Sequence, residues 1–224
     1  TTKEVIIKMK HSIKKGIKGN VSLFDIDGTI VNSSLLFEHY LHLCRVGILK
    51  PTKGLKAWVK NKKCDKLITE VANEYQQEVM KLNYNIVSQT AIDTVNRLNA
   101  RKFNKEALKL IAKDKEEGTL SILISGSPKY LVKPFAQRLG VKGYGSIYDT
   151  EGYATIKSIK PMWASNFKED FVNKYLSEAT IIRGVGDTKS DYYLLSIAKE
   201  KYLINPSKEN KDYIIGKMEN VIIL

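Results

Sequence analysis

Two aspartates one residue apart close an apolar run in Val21-Ser22-Leu23-Phe24-Asp25-Ile26-Asp27-Gly28-Thr29-Ile30. Burying a strand that delivers two carboxylates to its carboxyl end costs free energy unless the acids find partners. A metal ion, a phosphate and a proton transfer would supply them. On an extended chain Asp25 and Asp27 lie on the same side. One acid can then serve as nucleophile or metal ligand, and the other as proton donor and acceptor. Gly28 permits the tight backbone that follows, and Thr29 offers a hydroxyl and an N–H to an anion. Asp and Gly are also ordinary turn residues, so a strand ending in a plain turn is the alternative reading.

Two later segments have the same form. Thr119-Leu120-Ser121-Ile122-Leu123-Ile124-Ser125-Gly126-Ser127-Pro128 is apolar and β-branched and ends in small hydroxyls. Ser125 and the Gly126 N–H could hold a phosphate oxygen. Ala179-Thr180-Ile181-Ile182-Arg183-Gly184-Val185-Gly186-Asp187 reads as a third strand, and Thr188-Lys189-Ser190-Asp191 leads from it into a helix over Tyr192 to Lys199. Asp187 at the strand end and Asp191 in the first helical turn suit a hard divalent cation such as Mg2+. The competing explanation is that Thr188 or Ser190 caps the helix and the acids favour its dipole.

Helical elements must position these strand ends. Leu36, Tyr40 and Leu43 share one side of a helix over Leu35 to Val46. Leu67, Val71, Tyr75, Val79 and Leu82 recur at helical spacing over Cys64 to Leu82, and Ile92, Val95 and Leu98 do so over Gln89 to Ala100. Another helix from about Lys105 to Glu117 ends at Gly118. The stretch from Asp27 to Ser125 is too long for a simple crossover helix, so the helices before Lys105 define an α-helical insert over residues 34–102, and the core resumes with the Lys105 to Glu117 helix.

Asp25-Ile26-Asp27-Gly28-Thr29, then Ser125, a lysine, and Gly186-Asp187-Thr188-Lys189-Ser190-Asp191 resemble the four-motif series of the haloacid dehalogenase-like (HAD) phosphatases, towards their phosphoserine-phosphatase-like branch. Tyr148-Asp149-Thr150-Glu151-Gly152-Tyr153 is similar to that branch's acidic-Gly hairpin. Asn205-Pro206 is similar to its Asn-Pro after the last core strand. The resemblance implies an α/β, Rossmann-like three-layer core with a mainly parallel sheet over 1–33 and 103–224, and an inserted cap over 34–102. It further implies that Asp25 attacks phosphorus to form an aspartyl phosphate while Asp27 acts as general acid and base. Thr29, Ser125 and the Gly126 N–H would hold the phosphoryl oxygens. Mg2+ would bind to Asp25, the Asp27 carbonyl and Asp187, supported by Asp191. The lysine that offsets charge on Asp25 is read as Lys168, at the start of a helical pattern carrying Phe171 and Tyr175; Lys160, just before Pro161, is the second choice.

The resemblance has a departure. Phosphoserine phosphatases resemble Asp-x-Asp-Ser-Thr at the first motif, with a glutamate nine residues after the nucleophile. Here Gly28 and Ser34 stand at those positions, and Glu38 is the next acid. This argues for another small, anionic phosphomonoester, such as a sugar, nucleotide, alcohol or cofactor phosphate. A phosphotransferase on the same scaffold is one alternative. A nucleic-acid or membrane-surface binding module is another and is not favoured, because the acids at 25, 27, 187 and 191 are intact.

Composition fits an enzyme of the cytoplasm. The chain has 224 residues, and no apolar run approaches the ~20 residues needed to span a bilayer. Cys44 and Cys64 make no disulfide framework and point to a reducing compartment. His39, His42 and Cys44 have loosely metal-like spacing, which helical faces explain more simply. The terminal Val221-Ile222-Ile223-Leu224 reads as an edge strand or packed tail.

The net charge of +13 is localised. Residues 1–20 carry six lysines against Glu4, and residues 45–66 carry Arg45 and seven lysines against Asp65. Glu4 to Lys18 reads as a helix packed on the core with a lysine-rich outer face, with a membrane-surface helix or targeting peptide as the alternative. Lys50, Lys53, Lys56, Lys60 and Lys63 form a stripe opposite Leu55, Trp58 and Val59, in a helix that Gly54 weakens. The stripe is either a solvated face or a device steering an anionic substrate. Steering predicts that kcat/KM falls steeply with added salt and that neutralising the five lysines abolishes this dependence; salt-independent kinetics contradict it.

Overall fold

The computed structural model describes residues 16–60, 68–151, 155–160 and 167–224, with the backbone alone described for 148–151 and 155–160. In chain order the elements are β1 (Gly19–Phe24), α1 (Leu35–Arg45), α2 (Lys53–Lys60), α3 (Ile68–Val79), α4 (Tyr84–Asn96), α5 (Lys105–Glu116), β2 (Leu120–Pro128) and α6 (Lys129–Leu139). They continue with β3 (Lys142–Glu151), β4 (Thr155–Lys160), α7 (Phe167–Tyr175), β5 (Ala179–Gly186), α8 (Tyr192–Ser196), β6 (Glu200–Leu203), α9 (Lys208–Ile215) and β7 (Val221–Ile223). Short 3-10 turns cover Ala100–Lys102 and Lys189–Asp191.

The strand order β4-β3-β2-β1-β5-β6-β7 forms a mainly parallel sheet. β1 pairs parallel with β5, β5 with β6 and β6 with β7, while β3 and β4 pair antiparallel. With the helices between strands, this is the α/β Rossmann-like architecture expected. The order reverses at β1, and ligands of open α/β sheets bind at the carboxyl ends of strands where this happens.

The chain divides into two compact units, one of Thr1–Asp25, Lys105–Ile122 and Trp163–Leu224, the other of Ile26–Asn104 and Leu123–Met162. In the first, Val21, Leu23 and Phe24 of β1 are fully buried, as a strand covered on both faces requires. Leu195, Leu203 and Ile214 form a small core against Tyr192, Met218 and Val221. A Cβ on Gly184 would strike the backbone of Leu194, so glycine is needed where α8 lies on β5. The Val221–Ile223 segment is the edge strand read from the sequence.

A buried ionic cluster ties this unit together. The Arg183 guanidinium pairs with Asp114, with Glu117 at 2.6 Å and with Glu200 at 3.1 Å. Ser22 and Ser121 donate to the Asp114 carboxylate at 2.8 and 2.6 Å. Glu117 and Glu200 are half exposed and lie 3.8 and 3.7 Å from Lys113, so water and a second cation offset their charge.

In the second unit Leu36, Tyr40 and Leu43 of α1, Val71, Tyr75 and Val79 of α3, and Val87, Ala91 and Val95 of α4 are buried. α4 begins at Tyr84, five residues before the expected start, because the Asn83 side chain caps it by accepting the Asn85 N–H at 2.9 Å. In α2, Leu55 and Trp58 are buried but Val59 is 51% exposed and leaves the apolar face assigned to it. Lys50 precedes the helix. Gly54 is a contact site rather than only a weak point: a Cβ there would strike Glu74, whose carboxylate accepts the Gly54 N–H at 3.2 Å and the Thr52 hydroxyl. The Glu4 to Gly16 part of the N-terminal reading falls almost entirely outside the described residues, as do Lys63 and the Gly152-Tyr153 part of the hairpin.

The His39, His42 and Cys44 grouping is packing. His39 is fully buried, with Nδ1 2.7 Å from the Tyr75 hydroxyl and Nε2 2.8 Å from the Thr90 hydroxyl. Burial, aided by nearby His42, pushes the His39 pKa down to about 3, and burial pushes the Cys44 thiol up. Protonation of His39 therefore favours the unfolded chain. Its contribution to stability is complete above pH ~6.5 and is lost as the pH falls towards about 3. An NMR titration is expected to keep His39 in the neutral form at pH 5, and a midpoint near 6.5 would contradict this packing.

Candidate active site

β1 and β5 bring carboxylates together at their carboxyl ends. The Asp25 N–H continues the β1–β5 pairing by donating to the Val185 carbonyl at 2.9 Å, which sets Asp25 beside the end of β5. Asp187 follows β5 directly, and Asp191 ends the 3-10 turn. One carboxylate oxygen from each of Asp25, Asp187 and Asp191 lies within 4.8 Å of the others. Asp25 and Asp191 are buried.

Two features hold Asp191 in place. Its Oδ2 accepts the Asp187 N–H at 3.1 Å, the Thr188 N–H at 3.0 Å and the Thr188 hydroxyl at 3.1 Å, so the capping role considered for Thr188 is also present. Gly186 then makes room, since a Cβ there would collide with the Asp191 side chain. Lys168, the second residue of α7, donates to Asp25 Oδ1 at 2.8 Å and to Asp191 Oδ1. Burial alone would lower the Lys168 pKa, but the Asp191 and Asp25 carboxylates outweigh it and hold the ammonium charged, well above the usual lysine value. Three carboxylates against one ammonium leave negative charge in a mostly buried site, and an all-oxygen donor set suits a hard divalent cation.

Asp27 belongs to the second unit and has its own donors there. Oδ2 accepts the Ser125 hydroxyl at 2.5 Å and the Ser127 hydroxyl at 2.9 Å, and Oδ1 accepts the Leu35 N–H at 2.6 Å. Ser125 in turn accepts the Ser127 N–H at 2.9 Å. The Gly126 carbonyl accepts the Ser146 hydroxyl, which fixes the orientation of that peptide. Gly28, at φ +90°, donates to the Val31 and Ser33 carbonyls at 2.8 and 3.2 Å and closes the turn after Asp27. Thr29 is buried and its N–H is given to the Ile26 carbonyl at 3.2 Å, so that N–H does not serve an anion as read from the sequence.

The structure thus gathers Asp25, Lys168, Asp187 and Asp191 in one cluster, and Asp27 with Ser125 in another; the chain passes between the units at Ile26. Sequence reasoning missed Ser127, which the repeated hydroxyl in Ser125-Gly126-Ser127 could have signalled. It also missed the Leu35 N–H, through which Asp27 caps α1. Ser34 occupies the N-cap position but makes no side-chain cap.

Acids at the carboxyl ends of neighbouring parallel strands, paired with a lysine from a later helix, form a candidate catalytic centre on an α/β sheet. The chain belongs to the haloacid dehalogenase-like hydrolase family, whose pattern matches residues 22–196. No curated protein matches it in sequence. Among solved structures it is similar to a protein of unknown function from Bordetella pertussis Tohama I, at 14% identity and a TM-score of 0.71, covering 92% of this chain and 99% of that one. It is also similar to a phosphoserine phosphohydrolase-like protein from Francisella tularensis subsp. tularensis SCHU S4, at 18% identity and a TM-score of 0.59, covering 91% and 94%. A phospho-aspartyl intermediate analogue of phosphoserine phosphatase matches at 18% identity and a TM-score of 0.54, covering 92% and 93%. At these identities the likeness is one of fold.

The contact at Gly186 gives a direct check. Gly186→Ala forces a methyl group against Asp191 and is expected to cost about 1–3 kcal/mol in urea unfolding. Unchanged stability would contradict the close approach.

Proposed function

We propose that the chain is a Mg2+-dependent phosphatase that hydrolyses a small phosphomonoester through an aspartyl phosphate on Asp25. The single observation that carries this reading is the Asp25, Asp187 and Asp191 cluster with Lys168 held between Asp25 and Asp191. The fold likeness to phosphoserine phosphatase supports it.

In this reading an Asp25 oxygen attacks phosphorus, the ester P–O bond breaks, and the departing alkoxide takes a proton from Asp27. Water then attacks phosphorus of the acyl phosphate, Asp27 takes its proton, and inorganic phosphate leaves with Asp25 restored. Mg2+, held by Asp25, the Asp27 carbonyl and Asp187 with Asp191 in support, would neutralise charge on the phosphoryl oxygens. Lys168 offsets charge on Asp25 and the phosphoryl group. The Thr29 hydroxyl, Ser125 and the Gly126 N–H position that group, and positioning with charge neutralisation supplies most of the catalysis of phosphoryl transfer. Ser125 has one proton to donate. Giving it to a phosphoryl oxygen removes a donor from Asp27.

The helices within 34–102 serve as the cap that selects the substrate, and Gly28 and Ser34 direct that selection away from phosphoserine. The enzyme acts in the cytoplasm. Among the described residues no helix is long and apolar enough to cross a membrane.

A panel of phosphomonoesters assayed with and without Mg2+ tests the proposal. Activity is expected to require Mg2+, to disappear in Asp25→Asn and to fall about 10²–10⁴-fold in Asp27→Asn. Wild-type and Asp25→Asn proteins equally active, or equally inactive across the panel, would overturn it. Transfer of phosphate to an added alcohol in preference to water would favour the phosphotransferase reading.

A further inference from the structure

The second unit carries a cavity that the reaction above does not use. It measures about 290 Å³ and lies between α4 and α6, lined by Tyr84, Ser88, Lys129, Tyr130, Lys133 and Gln137 among others. Among the described residues two lysines line it and no acid does. Lys129 and Lys133 are exposed, and among the described residues neither has an ion-pair partner. They occupy the first two turns of α6, and the first turn holds no acid. Cations there oppose the helix dipole, so this placement is unfavourable without an anion to offset it.

One wall of the cavity is held rigidly. Tyr130 is 4% exposed, and its hydroxyl lies 2.7 Å from that of Tyr75, which meets His39 Nδ1 at 2.7 Å. The His39 Nε2 contact with Thr90 completes a chain through α1, α3, α4 and α6. Lys129 of the cavity also lies close in the chain to Ser125-Gly126-Ser127, the segment that the proposed function assigns to the phosphoryl group. Lys129 follows Ser127 by two residues, which bounds their Cα separation at about 7 Å.

We propose that this cavity binds a second acidic group of the substrate, so that the substrate is a phosphomonoester that also carries a carboxylate or a further phosphate. Lys129 and Lys133 supply the charge, and Tyr84, Ser88 and Gln137 supply hydrogen bonds. This rests on the phosphatase reading and narrows its substrate class. Lys129 and Lys133 thereby become specificity-determining residues.

The test compares two non-hydrolysable phosphonates in the presence of Mg2+ by titration calorimetry: 3-phosphonopropionate, which has a second acid, and propylphosphonate, which lacks it. The wild-type protein is expected to prefer 3-phosphonopropionate by about tenfold or more. In Lys129→Met/Lys133→Met the affinity ratio is expected to fall to about one, and Lys129→Arg/Lys133→Arg restores it. Equal affinities in the wild type, or a preference that survives the methionine pair, would overturn the inference and leave the phosphatase reading standing. Failure of both phosphonates to bind would overturn that reading and this inference with it.

Discussion

Asp25, Asp187 and Asp191 lie together with a single ammonium between two of them, and the rest of the structure follows from the cost of keeping them there. Like charges this close in a mostly buried site are unfavourable unless something offsets them. Lys168 is brought in from α7, beyond the second unit's strands in the sequence, to do part of that. The remainder is met locally. Asp191 takes two backbone N–H groups at the end of β5, and Gly186 gives up its side chain so that the carboxylate can reach them. β1 is locked to β5 up to the Asp25 N–H. Strand register, turn geometry and one glycine thus serve a single electrostatic purpose.

The Arg183 cluster in the same unit shows what a structural ionic network looks like. Its one fully buried acid, Asp114, has a guanidinium and two serine hydroxyls, and its outer acids reach water and Lys113. That arrangement is satisfied as it stands. The Asp25 cluster has two buried acids sharing one ammonium and a third beside them, and in the proposed reading a cation completes it. In the second unit Asp27 is handled differently, surrounded by two serine hydroxyls and the Leu35 N–H. An ionic donor thus meets one acid and neutral donors the other, the difference on which the proposed roles of nucleophile and proton carrier rest.

The parallel-sheet architecture was legible because β1, β2 and β5 announce themselves as apolar runs ending in chemistry-bearing residues. The helices of 34–102 were legible from their apolar faces, with errors where a polar residue decides the outcome. Asn83 starts α4 earlier than the apolar spacing of Ile92, Val95 and Leu98 suggests. Val59 follows Trp58 by one position and so turns to solvent. Lys168 was readable from its place at a helix start, whereas its double contact with Asp25 and Asp191 was not. Ser127 and the Leu35 N–H escaped because their roles depend on where β2 and α1 deliver them, and periodicity carries no information on that. The α4–α6 cavity is likewise a product of packing between segments forty residues apart.

The central claim is that Asp25 becomes covalently phosphorylated during turnover. Acid-quenching the enzyme during hydrolysis of an active phosphomonoester, followed by peptide mass spectrometry, tests it most directly. The account predicts a hydroxylamine-sensitive phosphate on the peptide containing Asp25, absent from Asp25→Asn. Turnover with no trapped phosphate, or with phosphate on a different residue, would contradict it.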